Sequence, residues 1–126
     1  MSPGVTLDAG ALIALDRGDR RMLVLASRAL EMGARLTVPA TALAQAIRHP
    51  ERQVRLARLV RQPTTDVVAL DRVDATHVGR LLAASRTEDV TDAHVVICAR
   101  RAAQAVITSD PADLHALDPG LRTIAL

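Results

Sequence analysis

Asp89 and Asp92 stand three apart at the head of a run dense in apolar residues, Val95, Val96, Ile97, Ala99, Ala102 and Ala103. That density and spacing predict a mostly buried helix with both carboxylates in its first turn. Ala105 to Thr108 follows as a short apolar, partly β-branched run closed by Ser109, Asp110 and Pro111, the pattern of an interior strand ending in an acid. Residues 5 to 8, VTLD, repeat it: a strand ends in Asp8, which can cap a helix over 9–15. In an open parallel sheet, ligands bind outside the carboxyl ends of the strands. If these two strands are neighbours, Asp8 and Asp110 share an edge and Asp92 reaches it from its helix. Two full charges about 4 Å apart repel by about 4 kcal/mol at an effective dielectric of about 20. Three such groups must therefore hold protons or hold a cation. All the donors are carboxylate oxygens, which select Mg²⁺ or Mn²⁺. A plainer role is available to the same acids, since Asp89 and Asp92 also suit a helix cap and the helix dipole.

The elements that position these acids alternate along the chain. Asp19 caps a helix from about 20 to 32 with Gly33 as its stop, and 36–38 is a strand closed by Pro39. A helix over 40–48 carries Gln45, and Pro50 opens a second over 51–61 that Pro63 ends. A third strand spans 67–70. Asp71 then starts a helix to about 85, with Val73, Val78, Leu81 and Leu82 inward, and 86–88 leads into the acidic helix. Beyond Asp110, a short helix over 111–117 holds Asp113 in its first turn, and 123–126 closes the chain as an edge strand. Alternating strands and helices predict an α/β fold, a three-layer α/β/α sandwich with four or five mostly parallel strands.

Four segments, read together, resemble a known family: Asp8 in VTLDAGALIAL, then VPATALAQAIR, then DVTDAHVVICA, then VITSDPADL. In order and spacing they are similar to a PIN domain, specifically a VapC-type toxin of VapBC toxin-antitoxin systems. The resemblance spans nearly the whole chain, and the separation of DAH from TSDPADL carries it. It implies a PIN-like α/β/α domain over 1–126 and a metal-dependent endoribonuclease that uses Mg²⁺ or Mn²⁺. It also implies a homodimer silenced by a cognate VapB-like antitoxin, with tRNA or another structured RNA as substrate. Asp8, Asp92 and Asp110 fall on the essential acids, Asp89 and Asp113 on accessory ones. By the same resemblance Asp8, Asp92, Asp110 and Asp113 would be the metal ligands. One departure matters: Gln45 stands where most members carry Glu, which leaves open a catalytically weak RNA-binding PIN module.

Composition bounds these readings. At 126 residues and 49% hydrophobic, the chain suits one domain with its own core. No apolar run approaches 18 residues, and Met1 to Gly4 leads directly into the first strand, so neither a membrane span nor a secretion leader is expected and a cytoplasmic location is. All sixteen basic residues are arginine. Once a cation neutralises the acids the remaining surface is positive, which attracts a polyanion such as RNA. With no Phe, Tyr or Trp, base stacking on aromatic rings is excluded. Backbone and guanidinium contacts remain, with Arg48, Arg52 and Arg55 as candidates. Arg52, Arg55, Arg58 and Arg61 recur every three residues, so the row winds around its helix and also suits a solvated face.

Two other acid-and-metal readings are weaker. A haloacid-dehalogenase-like phosphatase needs a second Asp two residues after the first, where this chain has Gly10, and a receiver domain needs a late lysine. The four histidines are scattered, and His94, two residues after Asp92, reads as a core or supporting residue. Cys98 reads as a small buried hydrophobe. The apolar surplus of the first two helices, Leu12, Ile13, Leu15, Met22, Leu23, Leu25 and Leu30, exceeds one internal face and motivates the dimer.

Overall fold

In the computed structural model, which describes residues 4–126, five strands form one sheet: β1 (Val5–Leu7), β2 (Leu36–Pro39), β3 (Thr65–Val68), β4 (Ala105–Thr108) and β5 (Thr123–Ala125). Met1 to Pro3, read above as part of the lead-in to the first strand, lie outside the described residues. The order is β3-β2-β1-β4-β5, and every pairing is parallel. Parallel strands need covered faces, and the residues comply. Leu7, Leu36, Val38 and Val106 are completely buried, as is Thr6, whose hydroxyl donates to Gln104 Oε1 at 2.9 Å.

Seven helices cover the sheet: α1 (Ala9–Asp16), α2 (Arg20–Glu31), α3 (Ala40–Ala46), α4 (Val54–Arg61), α5 (Arg72–Ser85), α6 (Val90–Ala102) and α7 (Pro111–Leu117). One layer is α6 against β1, β2 and β4, with α5 and α7 beside it; the other is α1 and α4, with α2 against α1. Short α3 touches both α1 and α6 and so bridges the layers at the carboxyl end of β2. This is the three-layer α/β/α arrangement expected, with the sheet wholly parallel. Helix α6 lies closest because its inward residues are small or β-branched: Ala93, Val95, Val96, Cys98 and Ala99 are all buried.

Three local expectations shift. The third strand runs from Thr65 to Val68, two residues earlier than its apolar run, because it pairs Leu36 with Thr65 at an edge where Asp66 faces Arg35. An edge strand tolerates polar residues that an apolar search passes over. The helix expected over 51–61 is split into a 3-10 turn at Pro50–Arg52 and α4, and Gln53 makes the break. Its buried amide accepts from the backbone N–H groups of Arg48 and His49 and donates to Ala46 O at 2.9 Å, holding the end of α3. Val73, expected inward, is 62% exposed, since the first turn of α5 overhangs the core that Val78 reaches.

Ile107, 1% exposed in the second central strand, should lose about 2–5 kcal/mol on replacement by Ala, whereas Val73→Ala should stay within about 0.5 kcal/mol. Urea unfolding of the two variants checks the inside–outside assignment.

Candidate active site

Strands β1 and β4 are adjacent, yet the chain leaves them in opposite directions, β1 toward β2 and β4 toward β5. The crevice between their carboxyl ends is the topological switch point, where open α/β sheets bind ligands. Asp8 follows β1 there and Asp110 follows β4, with Leu7 in register with Ile107 and Asp8 N–H reaching Ile107 O at 3.4 Å. Asp8 is 6% exposed and caps α1, its Oδ1 accepting from Ala11 N at 2.8 Å. Burial pushes its carboxyl up, against hydrogen bonds from the Thr108 hydroxyl and the Ala11 N–H, with Asp110 adding repulsion. Thr108 has a second role: its Oγ1 accepts from Asp110 N at 2.9 Å, so one buried hydroxyl ties both acids together.

Gly10 permits the close approach. A Cβ there would lie 2.3 Å from Ser109 Oγ, so a larger residue would turn the Ser109 hydroxyl away from the start of α1. That glycine argued above against a phosphatase; in the structure it leaves room for the Ser109 hydroxyl between the two acids' segments. Thr108 and Gly10 escaped the sequence reading, although a threonine directly before the Ser-Asp of a strand end was a visible signal for the first.

Helix α6 supplies the facing acids. Asp89 is its N-cap, accepting from Asp92 N at 2.9 Å, so the capping role holds for Asp89. Asp92, half-buried, has its carboxyl raised to about 7, first by burial and then by the charges of Asp89, Asp113, Asp8 and Asp110. Those four neighbours are the other acids named from sequence, so all four act on Asp92 at one edge. Asp113, exposed at the start of α7, is raised chiefly by its hydrogen bond to Asp110 and by that group's charge. An open groove of about 200 Å³ runs along Thr87, Asp89, Asp92 and Asp113. The five carboxylates do not close into a tight triad: among the described residues, the group whose ligand atoms all lie within 4.8 Å is Asp74, His94 and Cys98, elsewhere in the fold. Gln45 is exposed on the last turn of α3, the helix that leaves the carboxyl end of β2.

The arginine candidates divide. Arg48 and Arg52 line a cavity of about 410 Å³ with Arg17 and His49. Arg55 instead donates to Asp16 O at 3.2 Å and covers Gly18, bracing the turn after α1. The cavity sits at the far end of α1 from Asp8, and that eight-residue helix is about 12 Å long. His94 is fully buried and faces away from the acids, with Nδ1 2.7 Å from Thr41 Oγ1. Leu12, Leu15 and Met22, counted above as apolar surplus, are consumed by the core, and Val24, Leu30 and Met32 are the exposed residues of that region.

A carboxylate whose folded pKa lies above its unfolded value is stabilising when protonated, and that contribution disappears as pH rises through the folded value. For Asp92 the window runs from about 4 to about 7. Without divalent ions, stability should therefore fall across this window, by roughly 1–2 kcal/mol from Asp92 once solvent screening is discounted. Asp92→Asn should flatten the slope, read from urea midpoints at each pH.

No family model matches the chain, and no curated protein matches it in sequence. Solved structures do match in shape. FitAB bound to an IR36 DNA fragment is 12% identical, covers 96% of this chain and 94% of its own, and superposes with a TM-score of 0.65. FitAcB from Neisseria gonorrhoeae is 14% identical over 95% of this chain and 96% of its own, also with a TM-score of 0.65. At such identities the likeness is one of fold, and the chain has the PIN-like α/β/α fold that its sequence resemblance implies.

Proposed function

We propose that this chain is a metal-dependent endoribonuclease, the toxin component of a toxin-antitoxin system. The observation that carries the reading is Asp92, a carboxyl raised to about 7 by burial and by four other acids at the sheet's switch point. Five carboxylate oxygens donors with no thiolate or imidazole among them fit a hard divalent ion, Mg²⁺ or Mn²⁺, and their mutual repulsion is the electrostatic cost such an ion relieves. Asp8, Asp92, Asp110 and Asp113 would hold it, with Asp89 fixing the first turn of α6. When bound, the ion lowers the pKa of a coordinated water and neutralises charge on the scissile phosphate.

The chain's own residues supply position. Thr108 and the Ala11 N–H fix the Asp8 carboxylate, and the backbone N–H of Asp110 is fixed by the same hydroxyl. Burial and like charge raise the Asp92 carboxyl to about 7 without an ion, and an ion bound beside it would hold that carboxylate ionised, as a ligand. Arg48 and Arg52, gathered with Arg17 about one short helix away, suit flanking phosphates of the same strand. Arg55, committed to the Asp16 carbonyl, contributes to that surface by charge alone.

The FitAB and FitAcB structures support an antitoxin partner for this chain, in keeping with the resemblance. An apolar groove of about 270 Å³ along Leu43, Ile47, Leu56 and Val60 suits the apolar face of a short antitoxin segment. A homodimer is also part of the proposal, with Val24, Leu30 and Met32 on α2 and its end as the exposed apolar residues. No helix among the described residues is long and apolar enough to cross a membrane, and a cytoplasmic site of action fits a ribonuclease.

One observation favours a second reading. Gln45 adds no charge and no base to the edge, as a catalytically weak RNA-binding PIN module would require. Both readings meet in one assay, cleavage of cellular RNA by the purified chain across a Mg²⁺ and Mn²⁺ series. The nuclease reading expects wild type to cut, Asp8→Asn and Asp92→Asn to lose roughly two orders of magnitude or more, and Gln45→Glu to need less Mg²⁺. Wild type inert at every concentration, with Gln45→Glu active, would establish the binding module.

A further inference from the structure

Inside the helical layer on the other side of Asp92, α5 and α6 bring three potential ligands together. Asp74, His94 and Cys98 are 2%, 0% and 2% exposed, and one ligand atom from each falls within 4.8 Å of the others. Two of those atoms, Asp74 Oδ2 and His94 Nε2, are buried without any hydrogen-bond partner. They face each other at 3.8 Å, too far for a direct hydrogen bond.

The surroundings define what could satisfy them. Arg101 takes the other carboxylate oxygen, Oδ1, leaving Oδ2 directed inward. Thr41 Oγ1 lies 2.7 Å from His94 Nδ1, and with Nδ1–H donating to that hydroxyl the lone pair of Nε2 faces Asp74. Burial pushes the Cys98 thiol up to about 11, and the pocket presents an imidazole nitrogen, a sulfur and a carboxylate. In that tautomer Asp74 Oδ2 and His94 Nε2 are facing acceptors, an arrangement that a cation resolves.

We propose that Asp74 Oδ2, His94 Nε2 and Cys98 Sγ form a second metal site, for a borderline ion of the Zn²⁺ class, that clamps α5 to α6. A mixed oxygen, nitrogen and sulfur set selects such an ion over Mg²⁺ or Mn²⁺. Tetrahedral coordination at the usual bond lengths separates ligand atoms by about 3.3–3.6 Å, so a contraction of less than about 1.5 Å assembles the set. Three protein donors leave a fourth position for water. Binding releases the Cys98 proton to solvent and leaves the thiolate on the ion. Arg101, with 55% of its side chain exposed, pairs with Asp74 Oδ1 on the solvent side of the cluster. The site is independent of the nuclease reading, because none of its donors belongs to the acidic edge.

The test uses the full chain, stripped with a chelator, given one equivalent of Co²⁺ and freed of excess. Wild type should show thiolate-to-cobalt charge transfer in the near ultraviolet, displaced by one equivalent of Zn²⁺. Cys98→Ala should lose the band entirely, and Asp74→Asn should weaken binding by at least about tenfold. Asp8→Asn and Asp92→Asn should keep the band, which separates this site from the acidic edge. A wild type without the band, or a band that survives Cys98→Ala, overturns the proposal. Should Cys98→Ala fail to fold by circular dichroism, the wild-type thiol decides: Zn²⁺ should slow its alkylation in mild urea by about tenfold or more, and an unchanged rate overturns the site.

Discussion

Asp8 is a carboxylate buried at the end of a central strand, and much of the architecture follows from making that tolerable. A buried charge needs hydrogen bonds or a counter-charge. The structure gives Asp8 the Ala11 N–H at the start of α1 and the Thr108 hydroxyl at the end of β4. Those two contacts require β1 and β4 to be neighbours, with the loop after β4 against α1 where Gly10 leaves room for the Ser109 hydroxyl. The hydrogen bonds lower the cost of the charge without removing it, since burial still holds the carboxyl above its ordinary value. The second acid, Asp110, is then carried beside the first by the same threonine.

Helix α6 separates two chemistries along its length. Its first turn faces the sheet edge with Asp89 and Asp92, among hard oxygen donors. One and two turns onward, His94 and Cys98 point into the layer shared with Asp74 of α5. The helix therefore carries mutually repelling carboxylates at its start, where Asp89 caps it, and a polar cluster along its middle in an otherwise apolar layer. Small residues at Ala93 and Ala99 let the same helix lie flat on β1, β2 and β4, so both clusters are referenced to one rigid element.

Much of this was legible in the residues. Strands ending in acids, VTLD and VITSD, place Asp8 and Asp110, and a parallel sheet makes their shared edge a matter of strand order. The Asp89–Asp92 spacing announced both a cap and a facing carboxylate, and both are present. What escaped depended on partners distant in sequence. Thr65–Val68 takes its register from Leu36, so the apolar run at 67–70 misplaced the strand. Gln53 stops one helix and holds another with a single amide, which periodicity does not encode. Asp74 lies 20 residues from His94, and nothing in either segment alone marks them as facing each other.

The central claim is that five carboxylates form one electrostatically coupled site. Carboxyl carbon NMR of aspartate-labelled protein, titrated over pH without divalent ions, reads it most directly, the apparent values belonging to the coupled set. The account predicts that the Asp92 signal titrates near 7 and moves downward when Asp89 or Asp113 is changed to Asn, because each removes a like charge acting on it. An Asp92 signal titrating near 4, unmoved by either change, would contradict it.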